Sequence, residues 1–219
     1  MKNESIQNSN RVTLDQVHIS GGYTGYFSFF LEAMRNKQVC RLIKDGTSIL
    51  DLGCGRAEIL RLLYASGKKN IKYTGCDITS ECIDYNIIRH PEQKFALIDI
   101  EKDDLSILGS NYDYIILLAV FEHLSNPCET FKKIADILST DGTIVLTVPI
   151  PQAESIYRIG ARLGFFSKRA QSEHSSIRID KDMLNGLPSC TNLRLNRYQR
   201  FLFGFNQLAV YRSPIFSDN

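Results

Sequence analysis

Residues 49–58 read Ile49-Leu50-Asp51-Leu52-Gly53-Cys54-Gly55-Arg56-Ala57-Glu58. An apolar run ends in an acid, turns through two glycines and enters a segment with helical spacing. Glycine takes positive φ at little steric cost, so such a turn folds tightly and leaves its backbone N–H groups and the following helix N-terminus facing outward. The stretch commits the chain to a strand–turn–helix unit, the repeating piece of an open α/β sheet. It also reserves room for one small ligand at the junction.

Two kinds of ligand compete for that turn. A dinucleotide fingerprint requires G-x-G-x-x-G/A, with a small third residue for close helix–strand packing. Glu58 occupies the third place here, and its carboxylate would repel a pyrophosphate. Asp51, two residues before the first glycine, likewise suits a cation. An amino-acid-like ligand bearing ammonium and sulfonium groups fits these charges better.

The rest of the chain repeats the same punctuation. Apolar spacing predicts a helix over 26–43, strand 1 over 48–52 and a helix over 57–65. Strand 2 follows over 71–76, with Thr79 or Ser80 capping a helix to 88. Strand 3 spans 95–98, and strand 4, over 114–120, is a continuous apolar run of the kind covered on both faces. A helix over 127–138 starts with proline, and Asp141-Gly142 turns into strand 5 over 143–148. Residues 150–178 break the rhythm with a predicted helix over 156–163. Asp180 is placed to cap a short helix to 187, and segments 193–203 and 206–212 form an antiparallel hairpin at the sheet edge. The sum is an α/β, doubly wound, mostly parallel sheet with helices on both faces.

Ligands of open α/β sheets bind beyond the carboxyl ends of the strands. Asp51, Asp77 and Asp99 end three successive strands, and Glu122-His123 follows the fourth. A carboxylate at Asp77 can accept from both ribose hydroxyls. One at Asp99 can accept from an adenine amino group, with the Ile100 amide meeting a ring nitrogen and Ile78 offering an apolar face. Taken singly, each Asp is as well explained as a cap or turn residue, but three at successive strand ends make that role much less fitting.

The pattern from Asp51 to Ala57 resembles motif I of class I S-adenosylmethionine-dependent methyltransferases, an acid followed by alternating glycines, with Ala57 where the last glycine stands. Phe121-Glu122-His123-Leu124 resembles the family's E-H-L after strand 4. Ser139-Thr140-Asp141-Gly142-Thr143 resembles its turn before strand 5, with Thr140 and Asp141 in place of the usual Pro-Gly. The resemblance covers about residues 26–149. It implies a seven-stranded sheet of order 3-2-1-4-5-7-6 with strand 7 antiparallel, S-adenosylmethionine as donor and S-adenosylhomocysteine as product. It implies a cofactor site of Asp51, Gly53, Cys54, Gly55, Asp77, Ile78, Asp99, Ile100 and Ala119. Glu173-His174, Arg200-Phe201 and Gly204-Phe205-Asn206-Gln207-Leu208 resemble methyltransferases encoded with surface-polysaccharide genes.

Methyl transfer to a hydroxyl needs a positioned base. His123, where strand 4 would face the methyl, and His174, in the insertion, are the candidates, each weighed against an ordinary surface role. Residues 150–178 are expected to cover the acceptor, with Tyr157, Phe165 and Phe166 as apolar contacts and Arg158, Arg162 or Arg169 for an anion. The absence of N-P-P-Y or D-P-P-Y after strand 4 disfavours exocyclic adenine nitrogen or glutamine amide as acceptor. The expected acceptor is a small molecule, foremost a sugar hydroxyl. A protein or tRNA modifier and a non-catalytic binder of the cofactor are the rivals.

Composition narrows the setting. The 219 residues suit one domain, with 1–25 polar and loose. Net charge is +2, too small to argue for nucleic acid. It is uneven: residues 1–149 carry 16 basic and 19 acidic side chains, residues 150–219 ten basic and five acidic. The second excess suits a solvated face or an anionic acceptor. No apolar run reaches membrane-spanning length. The six cysteines form no C-x-x-C and join no His cluster, so neither a metal site nor a disulfide framework is expected, and reduced thiols suit the cytoplasm.

Overall fold

The computed structural model of the protein describes residues 26–151 and 179–213. The expected cover over the acceptor, His174 and the loose N-terminus lie outside these residues. The described chain runs α1 (Tyr26–Cys40), β1 (Ser48–Leu52), α2 (Glu58–Ala65), β2 (Lys72–Asp77), α3 (Ser80–Arg89), β3 (Lys94–Leu97), β4 (Tyr112–Leu118), α4 (Pro127–Asp136), β5 (Leu138–Pro149), α5 (Lys181–Gly186), β6 (Arg194–Phe201) and β7 (Asn206–Arg212). The seven strands form one sheet of order β3-β2-β1-β4-β5-β7-β6. β1 to β5 are parallel, while β7 runs antiparallel between β5 and β6. The order and sense are those implied by the resemblance.

Strand burial follows from helices on both faces. β4 buries Tyr112 and the run Tyr114–Leu117, and side chains of alternate parity feed two separate clusters. Leu50, Leu52, Ile115 and Leu117 meet Phe131 and Ile134 of α4 and Leu184 of α5 on one face. Ile49, Tyr114 and Ile116 meet Val39 of α1 and Ile59, Leu60 and Leu63 of α2 on the other. Asp180 caps α5 as expected, accepting from the backbone of Asp182 and Met183 at 3.1 and 3.0 Å.

Beyond shifts of one or two residues at element ends, three features depart from the sequence reading. α1 stops at Cys40 rather than 43, although Ile43 remains buried. β5 starts five residues early: Leu138 pairs with Tyr112 and Thr143 with Tyr114, so residues 139–142 stand out as a bulge rather than a turn. The third departure corrects the cysteine reading. Cys128, in the first turn of α4, is joined to Cys190, in the 3-10 turn Leu187–Cys190 that precedes β6, with Cα atoms 6.2 Å apart. Packing of that turn on α4 brings together two cysteines 62 residues apart, a separation without a short motif to advertise it.

Candidate cofactor and acceptor site

The glycine turn sits where the strand order reverses, between β1 and β4, the switch point at which α/β sheets open a crevice. Gly53 has φ +77, and a Cβ there would lie 2.4 Å from Val120 Cγ2, so the turns after β1 and β4 touch at this point. Gly55 has φ +50 with open space where a side chain would project. The Cys76 carbonyl accepts from both Gly53 and Cys54 N–H at 2.8 Å, pinning the turn to the end of β2. Ala57, standing for the third glycine, takes φ 53 without glycine's freedom. Glu58, which disfavoured a pyrophosphate in the sequence, turns back along α2 to pair with Arg61 at 2.8 Å.

Asp77 faces the turn. Its Oδ2 accepts from Gly55 N–H and its Oδ1 from Thr79 N–H, both at 2.9 Å. Each oxygen keeps a lone pair for a further donor. Ile78 beside it is 69% exposed, a large apolar side chain left in solvent next to a polar group. Ile100 is partly buried against the core. Ala119, at φ 61, donates its N–H to Thr147 at 2.8 Å where β4 ends.

Two carboxylates are placed otherwise than the sequence suggested. Asp51 is buried, and its Oδ2 accepts from the Tyr73 hydroxyl at 2.6 Å. Burial, with Asp77 nearby, pushes its pKa up to about 7 against the favourable Tyr73 bond. It lies under the turn rather than open to a ligand. Asp99 fills the turn role: it accepts from Glu101 and Lys102 N–H at 3.1 and 3.3 Å and bridges Lys102 Nζ at 2.7 Å, and this lysine holds its pKa below the usual range.

At the end of β4, Phe121–His123 form a 3-10 turn with Phe121 buried, Glu122 half-buried and His123 exposed. Desolvation raises the Glu122 pKa, opposed by the charges of His123 and of Arg35 from α1. Sequence reading did not single out Arg35, nor Asn86, a fully buried side chain of α3 whose Nδ2 donates to Gly55 O at 2.7 Å. For Asn86 the signal was available: a polar residue one turn beyond Ile83 on the buried face of the helix.

The donor set passes a test of fit for a nucleoside carrying an amino acid. It offers a turn with open space at Gly55, a carboxylate at the end of β2 with spare lone pairs, and an exposed apolar side chain beside it. Fold and site thus define a Rossmann-like α/β protein built to hold such a ligand. The methyltransferase-domain family matches residues 27–183, and the chain belongs to that family, of the class I S-adenosylmethionine-dependent type.

Among relatives, (S)-coclaurine N-methyltransferase of Thalictrum flavum subsp. glaucum is 32% identical over 106 residues, 47% of this chain and 28% of that protein. Malonyl-[acyl-carrier protein] O-methyltransferase of Halalkalibacterium halodurans is 26% identical over 149 residues, 64% of this chain and 55% of that protein. The matched region is thus under a third of the length of the coclaurine enzyme. A TehB-like SAM-dependent methyltransferase from Corynebacterium glutamicum superposes with a TM-score of 0.60 at 19% identity, covering 82% of this chain and 87% of that one, which shows the fold.

Proposed function

We propose that the chain is a single methyltransferase domain that moves a methyl group from S-adenosylmethionine to a small-molecule acceptor. The observation that carries the reading is the meeting of the glycine turn, Asp77 and the turn after β4 at the switch point of the sheet. The cofactor, when bound, supplies a methyl on a positively charged sulfur and leaves as S-adenosylhomocysteine. Gly53, Cys54 and Gly55 shape the surface for its amino-acid part, and the Asp51 carboxyl lies beneath. Asp77 accepts from the ribose, Ile78 and Ile100 flank the base, and Ala119 borders the methyl side. Asp99 serves the adenine amino group by giving up Lys102.

On the acceptor side the chain aligns the nucleophile and removes its proton. Glu122 and His123 are adjacent groups that can share that proton, with Arg35 holding charge nearby. A sugar hydroxyl is the leading acceptor. A nitrogen acceptor is the second reading, favoured by relatives named as N-methyltransferases. The free thiols of Cys40, Cys54, Cys76 and Cys82 suit a cytoplasmic setting, whereas the Cys128–Cys190 bond needs an oxidant to form.

The test is release of S-adenosylhomocysteine from S-adenosylmethionine with two panels, sugars and sugar nucleotides against secondary amines. Turnover with one panel assigns the atom, and Glu122→Gln or His123→Ala should then slow it by about a hundredfold or more. Tight cofactor binding with no turnover on either panel would favour the non-catalytic binder.

A further inference from the structure

We infer that Asn86 is a positioning residue that presets the glycine turn for the cofactor; the inference rests on the cofactor reading above. The two peptides that flank the Gly55 Cα are each held by a side chain. Its N–H goes to Asp77 Oδ2 at 2.9 Å, and its carbonyl accepts from Asn86 Nδ2 at 2.7 Å. The same Nδ2 lies 3.7 Å from Cys54 Sγ, so one amide touches two successive residues of the turn. The turn carbonyl therefore points into the protein, toward α3, and the N–H points at the carboxylate assigned to the ribose. Rotating the Gly55–Arg56 peptide would break the bond to Asn86, and rotating the Cys54–Gly55 peptide the bond to Asp77.

Asn86 is fully buried, and its Oδ1 has no hydrogen-bond partner among the described residues. An unmet buried acceptor is costly, and a leucine on this inward face of α3 would avoid the cost. What an apolar residue cannot supply is the donor to Gly55 O. That contrast is the reason to assign the amide a task at the turn rather than in packing. Gly55 has open space on its side-chain face and φ +50, so no side chain of its own restrains the Gly55–Arg56 peptide, whose carbonyl Asn86 holds.

Replacing the amide with a carboxyl group makes the idea testable. In Asn86→Asp, the protonated acid donates to Gly55 O as the amide does, whereas the carboxylate sets two oxygens against each other. The groups facing this place are Asp77 from the end of β2, Asp51 from β1, Cys54 in the turn, Cys76 in β2, and Cys82 of α3, with Arg56 of the turn lying over Tyr85. All are present in the parent too, so the quantity to read is the ratio of the two affinities at each pH.

The experiment is calorimetric titration of S-adenosylhomocysteine into the parent, Asn86→Asp and Asn86→Ala between pH 5.5 and 8. It is paired with melting curves and with hydrogen exchange at the amides of residues 53–57. The expected result is Asn86→Asp affinity within about threefold of the parent at pH 5.5, falling at least about tenfold below it by pH 8. Asn86→Ala should be weaker by about tenfold at every pH, with faster exchange in the turn. Should either variant unfold at the upper pH, the lower-pH data and the exchange of the other still decide. Variants that melt earlier yet bind like the parent throughout would make Asn86 an ordinary core residue and overturn the inference. A parent that does not bind S-adenosylhomocysteine would overturn the cofactor reading, and this inference with it.

Discussion

Gly53 has little freedom to change. A methyl group there would press on Val120 and force a side chain into left-handed backbone. Gly53→Ala should cost roughly 2 kcal/mol by denaturant unfolding and abolish calorimetric binding of S-adenosylhomocysteine, because the turns after β1 and β4 must part. Asp51 makes a different prediction. Its folded pKa of about 7 lies above the unfolded value of 3.8. Its contribution to stability is therefore full below about pH 4 and is lost as pH rises through about 7. Asp51→Asn removes that dependence, so the parent's melting temperature should fall relative to the variant between pH 5 and 8 by several degrees, for a linkage on the order of 3 kcal/mol. Parallel curves for the two proteins would show that the carboxylate is already ionised when folded.

At the level of elements, the bond between α4 and the turn before β6 ties the region following β4 to the C-terminal hairpin. The linked residues are 62 apart, and closing a loop of that length restricts the unfolded chain by on the order of 4 kcal/mol. Unreduced protein alkylated under denaturing conditions should leave two cysteines unmodified, and Cys190→Ser should lower the urea midpoint by about that energy. Modification of all six would mean the thiols meet without bonding. The elements were legible in the sequence to the extent that they carry periodicity. Strands β1 to β5 announced themselves by apolar runs with acids or turns behind them, and α5 by Asp180. Strand order was not periodic information; it came with the E-H-L and glycine-turn resemblance. The bulge in β5 was invisible because Asp141-Gly142 suits a turn and a bulge alike. The burial of Asp51 was missed because its cover, the Tyr73 hydroxyl, comes from the neighbouring strand, and lateral contacts of this kind leave no trace in local spacing. The turn bonds that occupy Asp99 are readable, since Lys102 lies three residues on, but the recurrence of Asp at three successive strand ends weighs toward the ligand role.

For the molecule as a whole, the sheet separates two tasks along its edge. The β2–β1 side carries the groups assigned to the cofactor, and the β4–β5 side carries those assigned to the acceptor, with Gly53 and Val120 in contact at the boundary. Across the second side runs a single buried side chain, Gln207 of β7. Its Nε2 donates to Pro149 O at 3.3 Å and Ile179 O at 3.0 Å, and its Oε1 accepts from Tyr198 at 2.9 Å. Pro149 and Ile179, which flank residues 152–178 in the sequence, are thus held by one nitrogen. A segment whose two flanks share an anchor can be lengthened or shortened at an entropic cost that grows only with the logarithm of its length. The expected consequence is interchangeability: replacing 152–178 with a short Gly/Ser bridge should leave cooperative unfolding and S-adenosylhomocysteine binding in place while altering which acceptors are used. Descendants of such a chain could acquire new substrates by swapping one cassette, with the scaffold that holds the methyl donor untouched.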